Sequence, residues 1–261
     1  MVVTKTEIRW AKAIKDAAAK DETLDHLSDF EYLQHAIVAK EKVSKALKRM
    51  KGLQEFRQRY GILGQGSVDD GVRRLTSVIR RHPGMFLSIG KDNTGRTFMG
   101  GNFARFRADL LKTQDDWDNL MGGFYYVFQS MQADVSSIRD GVVFVAHARG
   151  LGWGHFNFDM QKRWCSLYGK CYPLRIKEMV ALDPPRVFSC MYALVKVFLS
   201  KKVQSVAVMT TTSRYAERIR TAFRDDILPP SMGGSFTEDQ FVRAFESLMK
   251  RRLHYSAKFK L

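Results

Sequence analysis

The sequence predicts an α/β protein: a helical unit over residues 1–84, then a domain over residues 85–261 built on a sheet with crossover helices. Three observations carry this. Up to Arg81 the apolar residues recur at helical spacing. From residue 85 short apolar runs alternate with helical patterns, in the order strand, strand, helix, strand, helix, strand, helix, strand, helix. And residues 183–200, Asp-Pro-Pro-Arg-Val-Phe-Ser-Cys-Met-Tyr-Ala-Leu-Val-Lys-Val-Phe-Leu-Ser, form a helix with an unusually broad apolar face.

Residues 5–19 are rich in strong helix formers. Ser28-Asp29 caps a short helix bearing Phe30, Tyr32, Leu33 and Ile37. Residues 39–60 read as one helix with Val43, Leu47, Met50 and Phe56 near one side. Its other residues are strongly basic, from Lys40 to Arg59, as a solvated face would be. Gly61–Gly66 is a break. Ser67–Arg81 is a helix stopped by His82-Pro83-Gly84.

Residues 85–89 and 97–101 are short strands flanking the turn Gly90–Arg96. Residues 117–132 form an aromatic-rich helix, with Trp117, Phe124, Tyr125, Tyr126 and Phe128. Residues 141–147 are a continuous apolar strand, as expected of one covered on both faces. A helix follows over 156–167, a strand over 178–182, the broad apolar helix, and a strand over 206–209. Ser213 begins a helix with Tyr215, Ile219 and Phe223, and residues 236–254 close the chain.

Lysine and arginine number 43 against 27 acidic residues, a net charge of +16 with pI near 9.9. That charge favours an anionic partner: nucleic acid, an anionic membrane face or a phosphorylated ligand. The aromatics sit in apolar helices rather than among the basic residues, which argues against nucleic acid. Three cysteines without C-x-x-C exclude a disulfide framework and a zinc knuckle and indicate a reducing compartment. The start, Met1-Val-Val-Thr-Lys-Thr-Glu, is not a signal peptide. No apolar run reaches the roughly 18 residues that span a bilayer.

Gly90-x4-Gly95-Arg96-Thr97 misses a phosphate-binding loop, which needs lysine in place of Arg96 and a helix after it. Gly64-x-Gly66 follows no strand. The histidines at 26, 35, 82, 147, 155 and 254 form no metal motif, and no serine sits in a nucleophile elbow. Asp115-Asp116 and Asp225-Asp226 read as helix-end charges. The sequence therefore gives no argument for an enzyme, a metal or a cofactor.

Four segments, in order, resemble the CRAL-TRIO family of lipid-binding proteins, which includes phosphatidylinositol-transfer, α-tocopherol-transfer and retinaldehyde-binding members. Asp92-Asn-Thr-Gly95-Arg96 resembles its D-x-x-G-R turn. Residues 141–150 resemble its third strand and the loop after it. Tyr172-Pro173, a strand, Asp183-Pro184-Pro185 and an apolar helix ending Phe198-Leu199 resemble its Y-P, N-x-P and F-L run. Ile227-Leu-Pro-Pro-Ser-Met-Gly-Gly234 resembles its L-P-x-x-x-G-G close. The N-terminal helices resemble the family's helical unit more loosely, with Tyr32-Leu-Gln-His-Ala36 in place of F-L-R-A-R.

The resemblance implies a mostly parallel sheet that floors an apolar pocket, gated by the helix after residue 183. The residues expected to line the pocket are Phe124, Phe128, Val143, Val145 and His147 below, with Phe188, Met191, Tyr192, Val195 and Phe198 on the gate. His147 replaces the family's aspartate; it either hydrogen-bonds a lipid hydroxyl or carbonyl or is a satisfied structural histidine. Leu174 and Val206 stand where phosphatidylinositol-transfer members carry glutamate and lysine, which argues against phosphatidylinositol as cargo.

Arg175 and Lys177 match a phosphoinositide-binding pair of α-tocopherol-transfer-like members, and with Lys201 and Lys202 would form a basic rim. The expected protein is a cytoplasmic, peripherally membrane-associated carrier. It would transfer a tocopherol-, retinoid- or phospholipid-like ligand and dock on anionic or phosphoinositide membranes. A phosphoinositide-binding adaptor without cargo is the alternative, and nucleic-acid binding a more distant one. Without the resemblance, the apolar helix could equally be an ordinary core helix.

Overall fold

A computed structural model describes residues 3–24 and 27–261; the chain start at Met1 and Val2, and His26, lie outside the described residues. Four helices come first: α1 (Lys5–Ala18), α2 (Asp29–Ala39), α3 (Val43–Arg59) and α4 (Val68–Arg81). Reciprocal capping boxes start α1 (Thr4 with Glu7) and α2 (Ser28 with Glu31). The helix expected over 39–60 is broken before Val43. Lys40 adopts φ +57 there, and the chain turns before α3 begins. The turn at His82–Gly84 leads into the sheet domain, and the apolar core runs across it. Leu53, Phe56, Leu75 and Val78 share one cluster with Phe86, Met99 and Phe124.

The sheet has five strands in sequential order: β1 (Phe86–Lys91), β2 (Thr97–Asn102), β3 (Val142–His147), β4 (Ile176–Leu182) and β5 (Ala207–Thr210). β1 and β2 pair antiparallel, and every later pairing is parallel. Asp92 organises the β1–β2 turn. Its carboxylate accepts the Thr94 and Arg96 amide N–H groups, both at 2.9 Å, and pairs with Arg96 Nε at 2.8 Å. Gly95 takes φ +84 in that turn, a conformation that disfavours a side chain. Gly141, at φ +82 just before β3, lies against the Arg175 carbonyl, where a β-carbon would clash.

Between β2 and β3 run α5 (Gln114–Ser130) and α6 (Val135–Asp140), the latter capped by Asp134 and not foreseen from the sequence. The next parallel crossovers are α7 (Phe158–Ser166) between β3 and β4, and α8 (Arg186–Val195) with α9 (Lys201–Gln204) between β4 and β5. After β5 come α10 (Thr212–Ala222) and the long closing helix α11 (Glu238–Lys258). α10 covers one sheet face, burying Tyr215, Ile219 and Phe223 against Phe98, Val143 and Val145. α11 packs on α2, α4, α5 and β1, so it joins the first helices to the sheet.

At that junction lies a buried polar network. Glu31 of α2 pairs with Arg57 of α3, and Arg57 Nε donates to Tyr125 Oη of α5 at 2.8 Å. Arg252 of α11 is fully buried. It donates to the Gln132 carbonyl and to Gln34 Oε1, each at 2.9 Å, and its guanidinium lies over the Phe30 ring. Burial of charge is tolerated here because each group has a partner of opposite charge or a hydrogen-bond acceptor.

His82, only 1% exposed, seals the turn into β1: its Nδ1 accepts the Arg107 amide N–H at 3.2 Å. Burial, aided by the Arg81 and Arg107 guanidinium groups, pushes its pKa down to about 4. In the unfolded chain a histidine titrates near 6.5. The folded state therefore binds fewer protons, and the stability held above pH 6.5 is lost as the pH falls towards 4. From this residue alone, urea unfolding at pH 5 should show about 2 kcal/mol less stability than at pH 7. His82→Asn, which keeps an acceptor but does not titrate, should flatten that difference; an unchanged pH dependence would refute the assignment.

Candidate ligand cavity

On the sheet face opposite α10 lies an apolar cavity of about 140 Å³. Side chains alternate along a strand, so one register set forms its floor: Phe144 and Ala146 of β3, Met179 and Ala181 of β4. Phe124 of α5 and Trp164 of α7 make one wall, with ring centroids 5.9 Å apart. The roof is α8, which contributes Phe188, Met191, Tyr192 and Val195.

α8 begins after Pro184-Pro185, whose fixed backbone suits a helix entry. Asp183 precedes them at φ +50. It is held there by the Thr212 amide and hydroxyl, which donate to its carboxylate at 2.9 and 2.6 Å. The helix is shorter than the 183–200 span expected. It passes into a 3-10 turn at Lys196–Phe198, and Ser200 then caps α9.

Within α8 only Met191 is buried, although most of the helix is apolar. Leu194 is 45% exposed and Val197, just beyond, 72%. Phe158 is also exposed and meets Phe198 edge-on at 5.4 Å, and Trp153 is exposed against Phe156. The roof is thus apolar on both sides, and its outer face joins a further apolar patch. Such a helix loses few contacts when it lifts.

Few polar groups reach the cavity. Tyr168 Oη and Cys165 Sγ share a hydrogen bond at 3.3 Å. The His155 ring is tied back through Nδ1, which accepts the Gly152 N–H at 3.1 Å. Trp164 Nε1 is buried without a hydrogen-bond partner, and Gln161 is a further polar residue of the lining. Sequence reasoning missed Trp164, Phe144 and Met179. The signal available was parity: residues 142, 144 and 146 share a face, but a strand apolar on both sides does not say which face.

That ambiguity explains where the expected pocket residues fall. Phe124, Phe188, Met191, Tyr192 and Val195 line the cavity. Val143, Val145 and His147 point to the other sheet face. The two valines pack under α10, and His147 opens on a polar cleft beyond the strand ends. The expectation that these three line the pocket is corrected by the strand alternation. Phe128 lies deeper in the core against Phe144 and Tyr172, at 5.9 and 6.0 Å, and Phe198 packs outside the lining, on Phe158.

The basic residues lie at the amino-terminal end of the sheet. The pairing Met179↔Ala207 puts the start of β4, with Arg175 and Lys177, at the same end as the α9–β5 turn that follows Lys201 and Lys202. Lys177, Lys201 and Lys202 are exposed and Arg175 is half-buried. Lys45 of α3 joins this surface. Partial burial, then Arg49, Lys42 and Lys202, hold its pKa below the usual lysine range. Leu174 is buried in the core and Val206 packs against it, so neither position presents a polar group.

A family model described as CRAL/TRIO domain matches residues 81–234, over half of the chain. The chain belongs to the CRAL/TRIO family. Its members bind and transfer lipids. Among curated CRAL/TRIO relatives, tyrosine-protein phosphatase non-receptor type 9 of Rattus norvegicus is 22% identical over 150 residues, 57% of this chain and 25% of that protein. The Homo sapiens protein of the same name matches with the same figures. This chain therefore spans about a quarter of the length of the curated relatives it matches. The crystal structure of Sfh5 superposes with a TM-score of 0.59 over 97% of this chain and 99% of that one, at 11% identity, a likeness of fold. The CRAL/TRIO match begins at the last residue of α4 and ends before α11, so α11 and most of the N-terminal helices lie outside it. Among the described residues no helix is long and apolar enough to cross a membrane.

Proposed function

We propose that this chain carries a single hydrophobic lipid, of the tocopherol, retinoid or phospholipid type, and exchanges it at an anionic or phosphoinositide-bearing membrane. The observation that carries the reading is the roof. An apolar cavity is closed by a helix that is itself apolar outside, so a bilayer can receive the same face that leaves the cavity. The cavity volume of about 140 Å³ is below the ~300–1,000 Å³ typical of ligand pockets, and an outward shift of α8 would supply the room a lipid needs. The partnerless Trp164 Nε1 favours a lipid with one hydroxyl or carbonyl.

Arg175, Lys177, Lys201 and Lys202, with Lys45 beside them, would meet anionic head groups while Trp153, Phe158, Leu194 and Val197 enter the interface. The small volume also favours a second reading: an adaptor that docks through the basic rim and carries no cargo.

Native mass spectrometry of the purified protein separates the two. A co-purified lipid at one per chain is expected for the carrier; an empty chain that still binds liposomes would establish the adaptor. Arg175→Ala with Lys177→Ala should weaken binding to phosphoinositide vesicles roughly thirtyfold at low salt, at about 1 kcal/mol per charge. Unchanged binding would remove these two residues from the docking surface.

A further inference from the structure

A second site lies beyond the carboxyl ends of the strands. Asn102 at the end of β2, His147 at the end of β3, Arg149, Asp183 after β4, Thr212 at the start of α10 and Ser231 line an open cleft of about 470 Å³. None of them lines the apolar cavity. Adjacent residues of β3 serve the two sites: Ala146 faces the cavity and His147 the cleft. In parallel α/β sheets, the crevice outside the carboxyl ends of the strands is the usual place for ligands.

The hydrogen-bond inventory decides what could sit there. Asp183 is already engaged: it accepts from the Thr212 amide and hydroxyl and from Arg149 Nη2, the last at 3.1 Å. Its role is to fix Arg149 and the first residue of α10. Asn102 Oδ1 accepts the Ala104 N–H at 3.1 Å, which leaves its amide NH2. The Ser231 hydroxyl and the remaining N–H groups of Arg149 add further donors.

His147 is only 9% exposed, yet its Nε2 has no hydrogen-bond partner. Burial keeps its pKa below the ordinary histidine value, with Asp183 favouring and Arg149 opposing protonation. His147 occupies the place of the family's aspartate, and a carboxylate appears instead at Asp183, where the N-x-P run has asparagine. The acid has moved from the strand-end position to one where it is consumed by Thr212 and Arg149.

We infer that this cleft binds the phosphate group of a small phosphomonoester. Donors arrive from three separate chain segments, at Asn102, Arg149 and Ser231, which suits a tetrahedral group with several acceptor oxygens. Arg149 provides a planar fork already oriented by Asp183. The amino-terminal end of α10 adds its dipole. The inference does not depend on the lipid reading, since the two sites share no residue.

The test is calorimetric titration of the full chain with inorganic phosphate and with glycerol 3-phosphate, at constant ionic strength. Saturable binding at one per chain is expected for glycerol 3-phosphate. Arg149→Gln and Ser231→Ala should each weaken it about tenfold; both side chains sit at the surface of the cleft, so the variants should fold. Arg175→Ala with Lys177→Ala, and a variant whose apolar cavity is filled, should bind as the parent does. Displacement by vesicles containing phosphatidic acid would identify a lipid head group as the source of the phosphate; persistence in their presence would identify a soluble phosphomonoester. Absence of saturable binding would overturn the inference, as would loss in the Arg175/Lys177 variant with retention in Arg149→Gln.

Discussion

Arg57→Met is expected to destabilise the protein by about 3–5 kcal/mol, measured by urea unfolding at pH 7. The reason is what the substitution leaves behind. Glu31 is 1% exposed and pairs with Arg57, while Ser28 donates to its carboxylate through the amide at 3.0 Å. Removal of the guanidinium strands a carboxylate in the junction of α2, α3 and α5. Tyr125 Oη also loses one of its two donors, the Arg57 Nε at 2.8 Å, and keeps Gln129 Nε2 at 2.6 Å. The charge-neutral pair Arg57→Met with Glu31→Gln should recover much of the loss, because the carboxylate that Arg57 had neutralised is then gone as well. If the single and double variants were equally unstable, the penalty would come from packing rather than from the exposed charge.

Ala146→Phe should abolish cargo loading while the fold survives. Ala146 lies on the floor of the apolar cavity between Phe144 and Ala148, and the space above it is about 140 Å³. A phenyl ring directed into that space occupies the volume a ligand needs. Co-purified lipid should fall by roughly tenfold or more, equivalent to about 1.4 kcal/mol of binding. Stability should change little, because the ring enters existing space; overpacking of about 1–3 kcal/mol would appear only if α8 were forced outward. Full lipid occupancy in this variant would place the ligand elsewhere.

The sequence carried the fold well where apolar periodicity and motif order agree. The strands from β1 to β5, the turn at Asp92–Arg96 and the apolar helix after Asp183 were legible because each is a local pattern. The break before α3 was not, since Lys40 reaches φ +57 without a glycine to mark it. The cavity was half legible. The gate residues Met191, Tyr192 and Val195 follow from helical spacing, and they do line it. The floor does not follow, because β3 is apolar on both faces, and only the position of α10 decides that Val143 and Val145 lie beneath it. Trp164 was hidden for a different reason: a single aromatic on an amphipathic helix has no local sign of a partnerless N–H. Arg252 reads as one more charge in a basic tail, and its burial depends on Gln34 and Gln132, which are far away in the chain.

That last contact has a consequence for synthesis. Gln34 and Arg252 are separated by 218 residues, and Gln34 also meets Gln132 across 98. While the ribosome is still making the sheet, α2 has no α11 to cover it, and Phe30 lacks Tyr255, Phe259 and the Arg252 guanidinium that later lie against it. Such long-range closure makes folding slow and leaves apolar helix faces uncovered in the nascent chain. Helix α2 is therefore made long before the segment that seals it, and until α11 docks its Phe30 face stays uncovered.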